Sequence, residues 1–594
     1  MQRIYTLFIL LGVFLASCTP YGAKKEEVRP VKEYREELTD GYVERIVEKP
    51  EKEKQKLKDR KQQQQKFAEP TVDVHNLWWY KDLQEASSTK NIKVKLEDLY
   101  ASSLRYSNQV KVFADIPVIR STAIEETKGN FDPVLFAEGG YRRINEPVGN
   151  VLRTGNDNDF KENENYFQAG VRKKFVTGTQ VEVSEKLQRI QNNSEFTDPN
   201  PQTIATLNVS IIQPLLRGAG IEYNESFLRL AELDTEIAKN EYKRQLESHL
   251  LEVTRAYWAL YLAKGNLLLR EKMFNSIKSI NEEMKQRQSI DALESQIYHT
   301  EAALSFHQAQ IIRAKAAVTN ARDRLLYLVN DPEFIEKRID QVVPMDIPYT
   351  KWVGVDLNES LLEAIEHRPE LEQSYLQIRS STIRLNASKN ELLPILDGIV
   401  EFAFTGLEAD NDVGGAIGEQ FGGSDPGVRV GFRFEYPMWN RTARARHLRR
   451  NVEKRQLVNQ FKTTMENILF EVKVSVREVE TTYEEYLARQ KAYIAAKNEI
   501  EALSKRRVLE TVLQQKEGTS IFLQAFLQAQ NNLLDMQFQL MNSLIDYNLA
   551  ITNLKKSEGT FLAFEKMKTV VEEDGNGLPL WRTVLENYKD KYQK

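Results

Sequence analysis

The sequence has few of the residues from which most catalytic and metal sites are built. It contains one cysteine, Cys18, so no disulfide can form within a chain. Its six histidines form no HExxH motif and no other metal-ligating spacing. A phosphate-binding GxxxxGK[ST] loop is also missing. The sequence therefore predicts no enzyme activity, no cofactor and no metal site.

A large charge excess and a long apolar segment are absent as well. The 82 Lys and Arg residues nearly balance the 86 Asp and Glu residues, which gives no basic surface for nucleic acid. No stretch of about 18 apolar residues occurs, so no transmembrane helix is expected. Any membrane-spanning part must then consist of β-strands, because only helices and closed barrels satisfy their backbone hydrogen bonds in lipid.

The N-terminus carries the one pronounced apolar segment. Arg3 precedes an apolar run from Ile4 to Leu15, too short to span a bilayer as a helix. The run ends in Leu15-Ala16-Ser17-Cys18, which resembles a bacterial lipobox, where small residues permit cleavage before a cysteine that then carries lipid. The sequence predicts a lipoprotein signal peptide over 1–17 and lipidation of Cys18. The alternative is an ordinary secretory signal that happens to end in cysteine.

Residues 18–93 are interpreted as a lipidated tether. Positions 19–69 are dense in Lys, Glu, Arg and Gln and have few apolar side chains to bury. Trp78, Trp79 and Tyr80 near the end of the tether are candidates to dock onto the folded body. Thr19 in place of Asp after the cysteine favours sorting to the outer membrane.

The rest of the chain shows an internal tandem repeat. Val94–Asp98 resembles Val355–Glu359 at an offset of 261, and the same offset pairs Pro133 with Pro394. In both copies helical periodicity is followed by strand-like alternation. The predicted domains are a first repeat over 94–330, an equatorial linker over 331–354, a second repeat over 355–560 and a C-terminal tail over 561–594. The tail either wraps the helices or stays mobile.

Strand-like alternation is clearest at Gly427–Tyr436. Apolar side chains occupy one face, and the other face carries Arg429, Arg433 and Glu435. About ten residues in this pattern fit a strand crossing an outer membrane; the alternative is a half-buried strand of a soluble domain. Further strands are expected at Ile395–Phe404 and near 133–143 and 204–213. The Gly- and Asp-rich loop Gly406–Pro426 suits an extracellular excursion.

An extra hairpin is predicted at Tyr166–Phe175 and Gln180–Leu187, turned at Gly178. Two interpretations are open. Either the hairpin raises the number of barrel strands to six per chain, or it folds back as a soluble flap.

Two very long helices are predicted at 222–288 and 442–515, each roughly 100 Å long at 1.5 Å per residue. Shorter helices at about 96–127, 292–328, 357–390 and 520–557 add up in pairs to nearly the same lengths. Each long helix is thus expected to lie against two stacked short ones, as in the wall of a tunnel. The alternative is a soluble helical array.

Several motifs occur in the order found in one family. Gln213-Pro214-Leu215-Leu216-Arg217-Gly218-Ala219-Gly220 closes a strand and opens a long helix, and Tyr436-Pro437-Met438-Trp439-Asn440 stands at the equivalent place in copy two. Proline ends a strand because it has no N–H to donate, and glycine permits a sharp turn. Further matches are Ala256-Tyr257-Trp258, Arg368-Pro369-Glu370-Leu371 and Tyr547-Asn548-Leu549-Ala550. Over about 94–563 the chain resembles the TolC-like outer membrane factor family.

The resemblance implies an α+β membrane protein. Three chains would build a transmembrane antiparallel β-barrel, with four strands from each, continuous with a long periplasmic α-helical coiled-coil barrel. Gln213, Pro214, Gly218, Gly220 and Pro437 would form the barrel–helix junction. The implied partners are two further copies of the chain, the outer-membrane lipid bilayer, a periplasmic adaptor and an inner-membrane pump that supplies the energy.

The periplasmic tip departs from the family pattern. The turn with Gly518 and Thr519 matches an adaptor-contact turn, whereas Gln286–Ala292 lacks the glycine and is shorter. Asp291 is the one nearby candidate for the aspartates that ring the closed tip in the family.

The predicted function is an exit duct for small molecules or proteins, lipid-anchored in the bacterial outer membrane and extending into the periplasm. Arg429, Arg433 and Glu435 line its lumen if Val428 faces lipid; otherwise they face water at the strand ends. Alternative functions are a type I protein secretion duct and a structural envelope lipoprotein that conducts nothing, with an enzyme as the weakest alternative.

Overall fold

The computed structural model describes residues 39–44, 77–85, 91–155, 157–288, 294–336, 341–422, 425–513, 519–573 and 579–586. The predicted lipidation site Cys18 and the tip residues Asp291 and Gly518 lie outside these ranges. None of the helices within them combines the length and apolar character needed to cross a bilayer.

The strands fall into one large sheet and two small ones. They are β1 (Asn91–Val94), β2 (Val134–Pro147), β3 (Asp159–Lys174), β4 (Gln180–Asn192), β5 (Gln202–Pro214), β6 (Gln341–Pro344), β7 (Ile395–Ala409), β8 (Gly427–Glu435), β9 (Met567–Glu573) and β10 (Pro579–Leu585).

The helices range from one turn to 73 residues. They are α1 (Trp78–Glu85), α2 (Leu96–Tyr106), α3 (Asn108–Lys128), α4 (Ile221–Asn224), α5 (Ser226–Gln286), α6 (Glu294–Val329), α7 (Pro332–Glu336), α8 (Leu357–His367), α9 (Pro369–Glu391), α10 (Val413–Glu419), α11 (Arg441–Leu513), α12 (Thr519–Ser557) and α13 (Phe561–Phe564). The predicted long helices correspond to α5 and α11.

Two of the predicted shorter helices are interrupted. The segment predicted over 96–127 breaks at Ser107, and that over 357–390 breaks at Arg368; both residues are extended, with ψ of 122°. Arg368 precedes Pro369, whose ring disfavours a helical conformation for the residue before it. No proline follows Ser107, and the helical spacing of the apolar residues gave no signal for a break at this position.

The chain divides into two compact units. Among the described residues, unit 1 contains those of 119–237 and 375–460, and unit 2 contains those of 39–118, 238–374 and 461–586. The division falls within helices α3, α5, α9 and α11.

Unit 1 holds a six-stranded antiparallel sheet in the order β2-β3-β4-β5-β7-β8. The extra hairpin is β3–β4, and each of its strands pairs along its length with both neighbours. The soluble-flap interpretation is therefore wrong, and so is the count of four strands per chain implied by the family. Within the described chain the sheet is open, with β2 and β8 at its edges.

Unit 2 has a helical core rich in aromatic side chains. Tyr257 and Tyr261 on α5 and Tyr483 and Tyr547 on α11 and α12 are almost fully buried. Trp79 of α1 is 1% exposed, and the Lys272 ammonium lies 3.5 Å from the centre of the Trp78 ring. The end of the predicted tether thus contains aromatic side chains packed in unit 2.

Short strands complete unit 2. β1 pairs in parallel with β6, which joins residues 91–94 to residues 341–344 of the predicted linker. β9 and β10 form an antiparallel hairpin in the predicted tail. This hairpin contacts α5 through a 3.0 Å hydrogen bond between the Thr583 and Tyr242 hydroxyls and through Lys239, which lies 4.6 Å from the Trp581 ring centre.

Candidate functional site

The candidate site is the six-stranded sheet, because its two faces differ in chemistry. Residues directly opposite each other in a ladder lie on the same face, so the pairing register assigns every side chain to one face. One face, here called the apolar face, carries Leu135, Ala137, Gly139, Tyr141, Phe167, Ala169, Val171, Val181, Val183, Leu187, Ala205, Leu207, Val209, Ile211, Val400, Phe402, Phe404, Val428, Val430, Phe432 and Phe434.

The apolar face exposes large hydrophobic side chains in the single chain. Leu135 on β2 is 79% exposed, and Val430 and Phe432 on β8 are 66% and 74% exposed. Soluble monomers rarely expose contiguous apolar patches of this kind unless the patch binds a membrane or a partner. The apolar face therefore requires an apolar environment.

The opposite face, here called the polar face, carries charged and amide side chains that pair across strands. Arg433 donates to Asp397 at 2.8 Å, and Arg429 donates to Glu401 at 3.3 Å. Arg142 pairs with the buried carboxylate of Glu164. The three residues predicted as lumen candidates, Arg429, Arg433 and Glu435, all lie on the polar face of β8.

Aromatic side chains mark the end of the sheet where β8 leaves it. Tyr436 is 43% exposed and Trp439 is 67% exposed, directly after β8. The Arg441 guanidinium lies 5.2 Å from the centre of the Trp439 ring. Tyr and Trp concentrate at membrane–water interfaces, where an apolar ring with a polar edge is favoured. The chemistry of this rim fits such a boundary.

The strand-to-helix junction depends on glycine geometry. Gly218 and Gly220 have φ values of 85° and 95°, in the left-handed region that side chains other than glycine avoid. Gln213 is buried and accepts a hydrogen bond from the Thr179 hydroxyl. Pro214 is the last residue of β5, and beyond it Leu215 still donates its N–H to the Leu396 carbonyl at 2.8 Å.

Two asparagines that the sequence did not single out hold this junction. The Asn224 amide donates to the carbonyls of Gly218 and Gly220 at 2.8 and 2.9 Å. The Asn390 side chain accepts the Gly218 N–H at 2.7 Å. Asn224 follows Gly220 by four residues, so the spacing was visible, but Asn390 lies 172 positions away and carried no local signal.

The extra hairpin also packs on the junction. A Cβ atom on Gly178, at the β3–β4 turn, would lie 2.4 Å from the Gly218 carbonyl oxygen. Gly220 donates its N–H to the Thr177 carbonyl at 3.1 Å. The β3–β4 turn and the β5–α4 connection therefore form one packed structure.

Pro437 lies in a simpler turn. Its carbonyl accepts the Asn440 N–H at 3.0 Å, and Asn440 adopts a φ of 40°. The Asn440 amide reaches the Leu392 carbonyl at 3.0 Å, which ties the start of α11 to the end of α9. At the predicted tip, Thr519 is the first residue of α12, and Asp291 and Gly518 lie outside the described residues.

No protein-family model matches the sequence, and no curated protein matches it. Solved structures do match the fold. The Campylobacter jejuni CmeC outer membrane channel is 15% identical with a TM-score of 0.56, and the alignment covers 83% of this chain and 90% of that chain.

Two other channels give similar values. The Neisseria gonorrhoeae MtrE outer membrane channel, solved in an open state, is 13% identical with a TM-score of 0.53, covering 79% of this chain and 89% of that one. The outer membrane protein VceC of Vibrio cholerae is 11% identical with a TM-score of 0.54, covering 78% and 96%. The resemblance to TolC-like outer membrane factors is thus confirmed at the level of the fold: the chain has the fold of the outer membrane channels.

Proposed function

We propose that the chain is one subunit of an exit duct in the bacterial outer membrane, with the apolar face of its sheet against lipid and the polar face around an aqueous lumen. The observation that carries this proposal is the two-faced sheet, in which all six strands contribute apolar side chains to one face and polar side chains to the other. Transmembrane β-barrels have this arrangement, with apolar residues outside and polar residues inside. The outer membrane channels that share the fold support it.

The open edges of the sheet support closure by further copies of the chain. β2 and β8 run in opposite directions at the two edges, so β8 of one copy can pair antiparallel with β2 of the next. Edge strands have unpaired N–H and C=O groups, which cannot remain unsatisfied in lipid. With three copies, six strands from each would give a barrel of eighteen. Barrels of about 16–18 strands leave an aqueous channel.

The long helices support a tunnel continuous with the barrel. α5 and α11 contain 61 and 73 residues, which corresponds to roughly 90 and 110 Å at 1.5 Å per residue. We propose that they form the periplasmic wall and that a periplasmic adaptor and an inner-membrane pump bind at the tip, with Thr519 and the turn residues Asp291 and Gly518 in the contact. Cys18 would carry a lipid anchor.

The element boundaries support an origin by internal duplication. Leu96 and Leu357 begin α2 and α8, and they are separated by the same 261 positions as Asn108 and Pro369, which begin α3 and α9. Val134 and Ile395, which begin β2 and β7, show the offset again. We infer that the two repeats descend from one helix–strand–helix unit.

Single-channel recording in a planar lipid bilayer tests the proposed duct. The purified protein should give discrete conductance steps. An Arg429→Glu, Arg433→Glu variant should shift ion selectivity toward cations, because two cations of the lumen become anions. A variant with lysine at both positions preserves the charge and should keep the selectivity of the parent.

A structural lipoprotein would give a different result. If a folded, inserted oligomer gives no conductance steps, the next variant shortens the turns around Asp291 and Gly518 in order to open the tip. Steps that appear after shortening support a closed duct. Continued silence would contradict the duct and favour the non-conducting alternative.

A further inference from the structure

The connection between β7 and β8 folds back onto the apolar face of the sheet. Its helix α10 packs on β5 and β7, and Ala416 of α10 and Ala205 of β5 are both fully buried. A Cβ atom on Gly406 would lie 2.0 Å from the Ala416 carbonyl oxygen, so this approach requires glycine. Residues 412–422 are called the surface segment below.

The surface segment covers a charge that interrupts the apolar face. Glu185 lies on that face of β4 between Val183 and Leu187, directly opposite Leu207 of β5. The Gln420 side-chain amide donates to the Glu185 carboxylate at 2.6 Å, and Gln420 itself is 2% exposed. A carboxylate that lies between apolar side chains of this face thus has a buried polar partner supplied by the segment.

The surface segment has one polar and one apolar edge. On the polar edge, Glu419 accepts the Leu407 N–H at 2.9 Å, and Asp412 caps α10 by accepting the Gly415 N–H at 2.8 Å. Val413 and Ile417, four residues apart, lie on one side of α10, and Phe421 follows in the turn after the helix.

These three apolar side chains are 40%, 38% and 69% exposed. The Phe421 ring lies 6.2 Å from the Phe404 ring of the apolar face. The apolar edge thus lies toward Phe404, and the polar edge lies toward Leu407, nearer the end of β7.

The backbone of the segment is largely satisfied internally. Ala416 donates to Asp412, Gln420 donates to Ala416, and Gly422 donates to Glu419, all at 3.0–3.3 Å. Irregular backbone is excluded from lipid unless its polar groups are paired. The segment meets this condition, and an amphipathic helix with such edges is suited to the boundary between acyl chains and headgroups.

We propose that the surface segment is a lipid-contacting collar: it lies on the outer wall of the barrel at the membrane boundary, with Val413, Ile417 and Phe421 in the acyl chains and Glu185 shielded beneath it. The proposal rests on the proposed function, which places the apolar face against lipid. A second copy is not the expected occupant, because the segment packs on the inner strands β5 and β7 and not on the edge strands at which copies would pair.

Fluorescence quenching in lipid vesicles tests the collar. The variants Ile417→Cys and Phe421→Cys each add one cysteine for an environment-sensitive dye, and the vesicles contain lipids with a nitroxide at a shallow or a deep acyl position. Asn411→Cys, exposed just before the segment, is the matched polar control. Val430→Cys reports the apolar face of β8. The parent chain, whose one cysteine is Cys18, gives the background labelling.

The dyes at 417 and 421 should be quenched several-fold more than the dye at 411, and more by shallow than by deep nitroxides. If the dye at 430 is quenched while the dyes at 417 and 421 are quenched no more than the dye at 411, the collar is overturned and the proposed duct remains supported. If the dye at 430 is not quenched either, the apolar face does not meet lipid and the proposed function fails with the collar.

Discussion

The carboxyl of Glu247 lies inside the helices of unit 2 with one oxygen that has no hydrogen-bond partner among the described residues. Glu247 is 2% exposed on α5. Burial, the largest effect, raises its pKa to about 7, while nearby Lys243 and Arg368 act in the opposite direction and Glu370 adds to the rise. A buried carboxyl without a close ionic partner favours its protonated form.

This raised pKa makes stability depend on pH. Between about pH 4.5 and 7 folded Glu247 retains a proton that the unfolded chain releases, so the free energy of unfolding falls as pH rises through this window. Glu247→Gln should remove this contribution and stabilise the protein at pH 8 by up to about 3 kcal/mol, since one pKa unit corresponds to about 1.4 kcal/mol. Urea unfolding at pH 5 and pH 8 measures the effect.

The matched control for this prediction is Glu499→Gln, on an exposed position of α11. It should leave the difference between the two pH values unchanged. If Glu247→Gln loses equal stability at both pH values, the carboxyl stabilises the fold through a contact, and its protonation does not account for the pH dependence.

The Glu185–Gln420 pair gives a second residue-level prediction. Gln420→Leu leaves the half-buried Glu185 carboxylate without its amide donor and should lower the free energy of unfolding by about 1 kcal/mol, the low end of the cost of an unsatisfied polar group, because this carboxylate is only partly buried. Adding Glu185→Gln should recover most of the loss, because the charge is gone. The two single variants and the double variant form a cycle measured by urea unfolding; additive losses would show that the two side chains do not interact.

Among the elements, the sequence predicted those with sustained periodicity and missed those held by distant partners. The alternation in Gly427–Tyr436 predicted β8, because in a strand the polarity of each side chain indicates the face of the sheet on which it lies. The β1–β6 pair was missed, since four-residue strands about 250 positions apart leave no pattern. The hairpin of β9 and β10 was also missed, because its burial depends on Tyr242 and Lys239 of α5.

In the candidate site, too, the sequence predicted the features with a local signal and missed those held by distant partners. The positive φ values of Gly218 and Gly220 follow from the need for a sharp turn, so glycine at these positions was a readable signal. The amides of Asn224 and Asn390 that fix the turn were not readable, because asparagine is common in loops and one of the two is remote in sequence. The fold-back of 412–422 was missed too: a Gly-rich segment predicts a loop but not the face on which it packs.

The turn after α12 permits an element-level test. Gly559 has a φ of 73°, and a Cβ atom there would lie 2.7–2.8 Å from the backbone of His367 and Arg368. Gly559→Ala should destabilise unit 2 by at least about 1–2 kcal/mol, from the left-handed backbone alone, with more from the clash. Gly354→Ala is the control in the same unit, because no atom lies within 4 Å of its added Cβ. Thermal unfolding that shifts equally in both variants would contradict this account.

For the whole molecule, the number of strands per chain determines the width of the proposed duct. If copies pair edge to edge, cysteines introduced on β8 and β2 should join neighbouring chains. Gly431→Cys combined with Glu138→Cys or Arg142→Cys, all on polar-face positions of edge strands, should give disulfide-linked oligomers up to a trimer on denaturing gels. Lys186→Cys on the inner strand β4 replaces the β2 cysteine in the control and should give none.

A disulfide formed within one chain would contradict this arrangement. It would mean that the sheet closes on itself into a six-stranded barrel, whose interior side chains fill and leave no aqueous path, since lumen width grows with strand number. The gel therefore distinguishes a wide shared duct from a closed single-chain barrel.

The docking of β10 on α5 also bears on the order in which the protein can be assembled during synthesis. Thr583 binds Tyr242, a residue made 341 positions earlier, and unit 2 draws on three separate stretches of chain. The part of α5 around Tyr242 that β10 contacts therefore stays uncovered until residues 579–585 have been synthesised and have folded onto it. A truncation before β9 would leave this part of α5 without the contacts that Thr583 and Trp581 make with it.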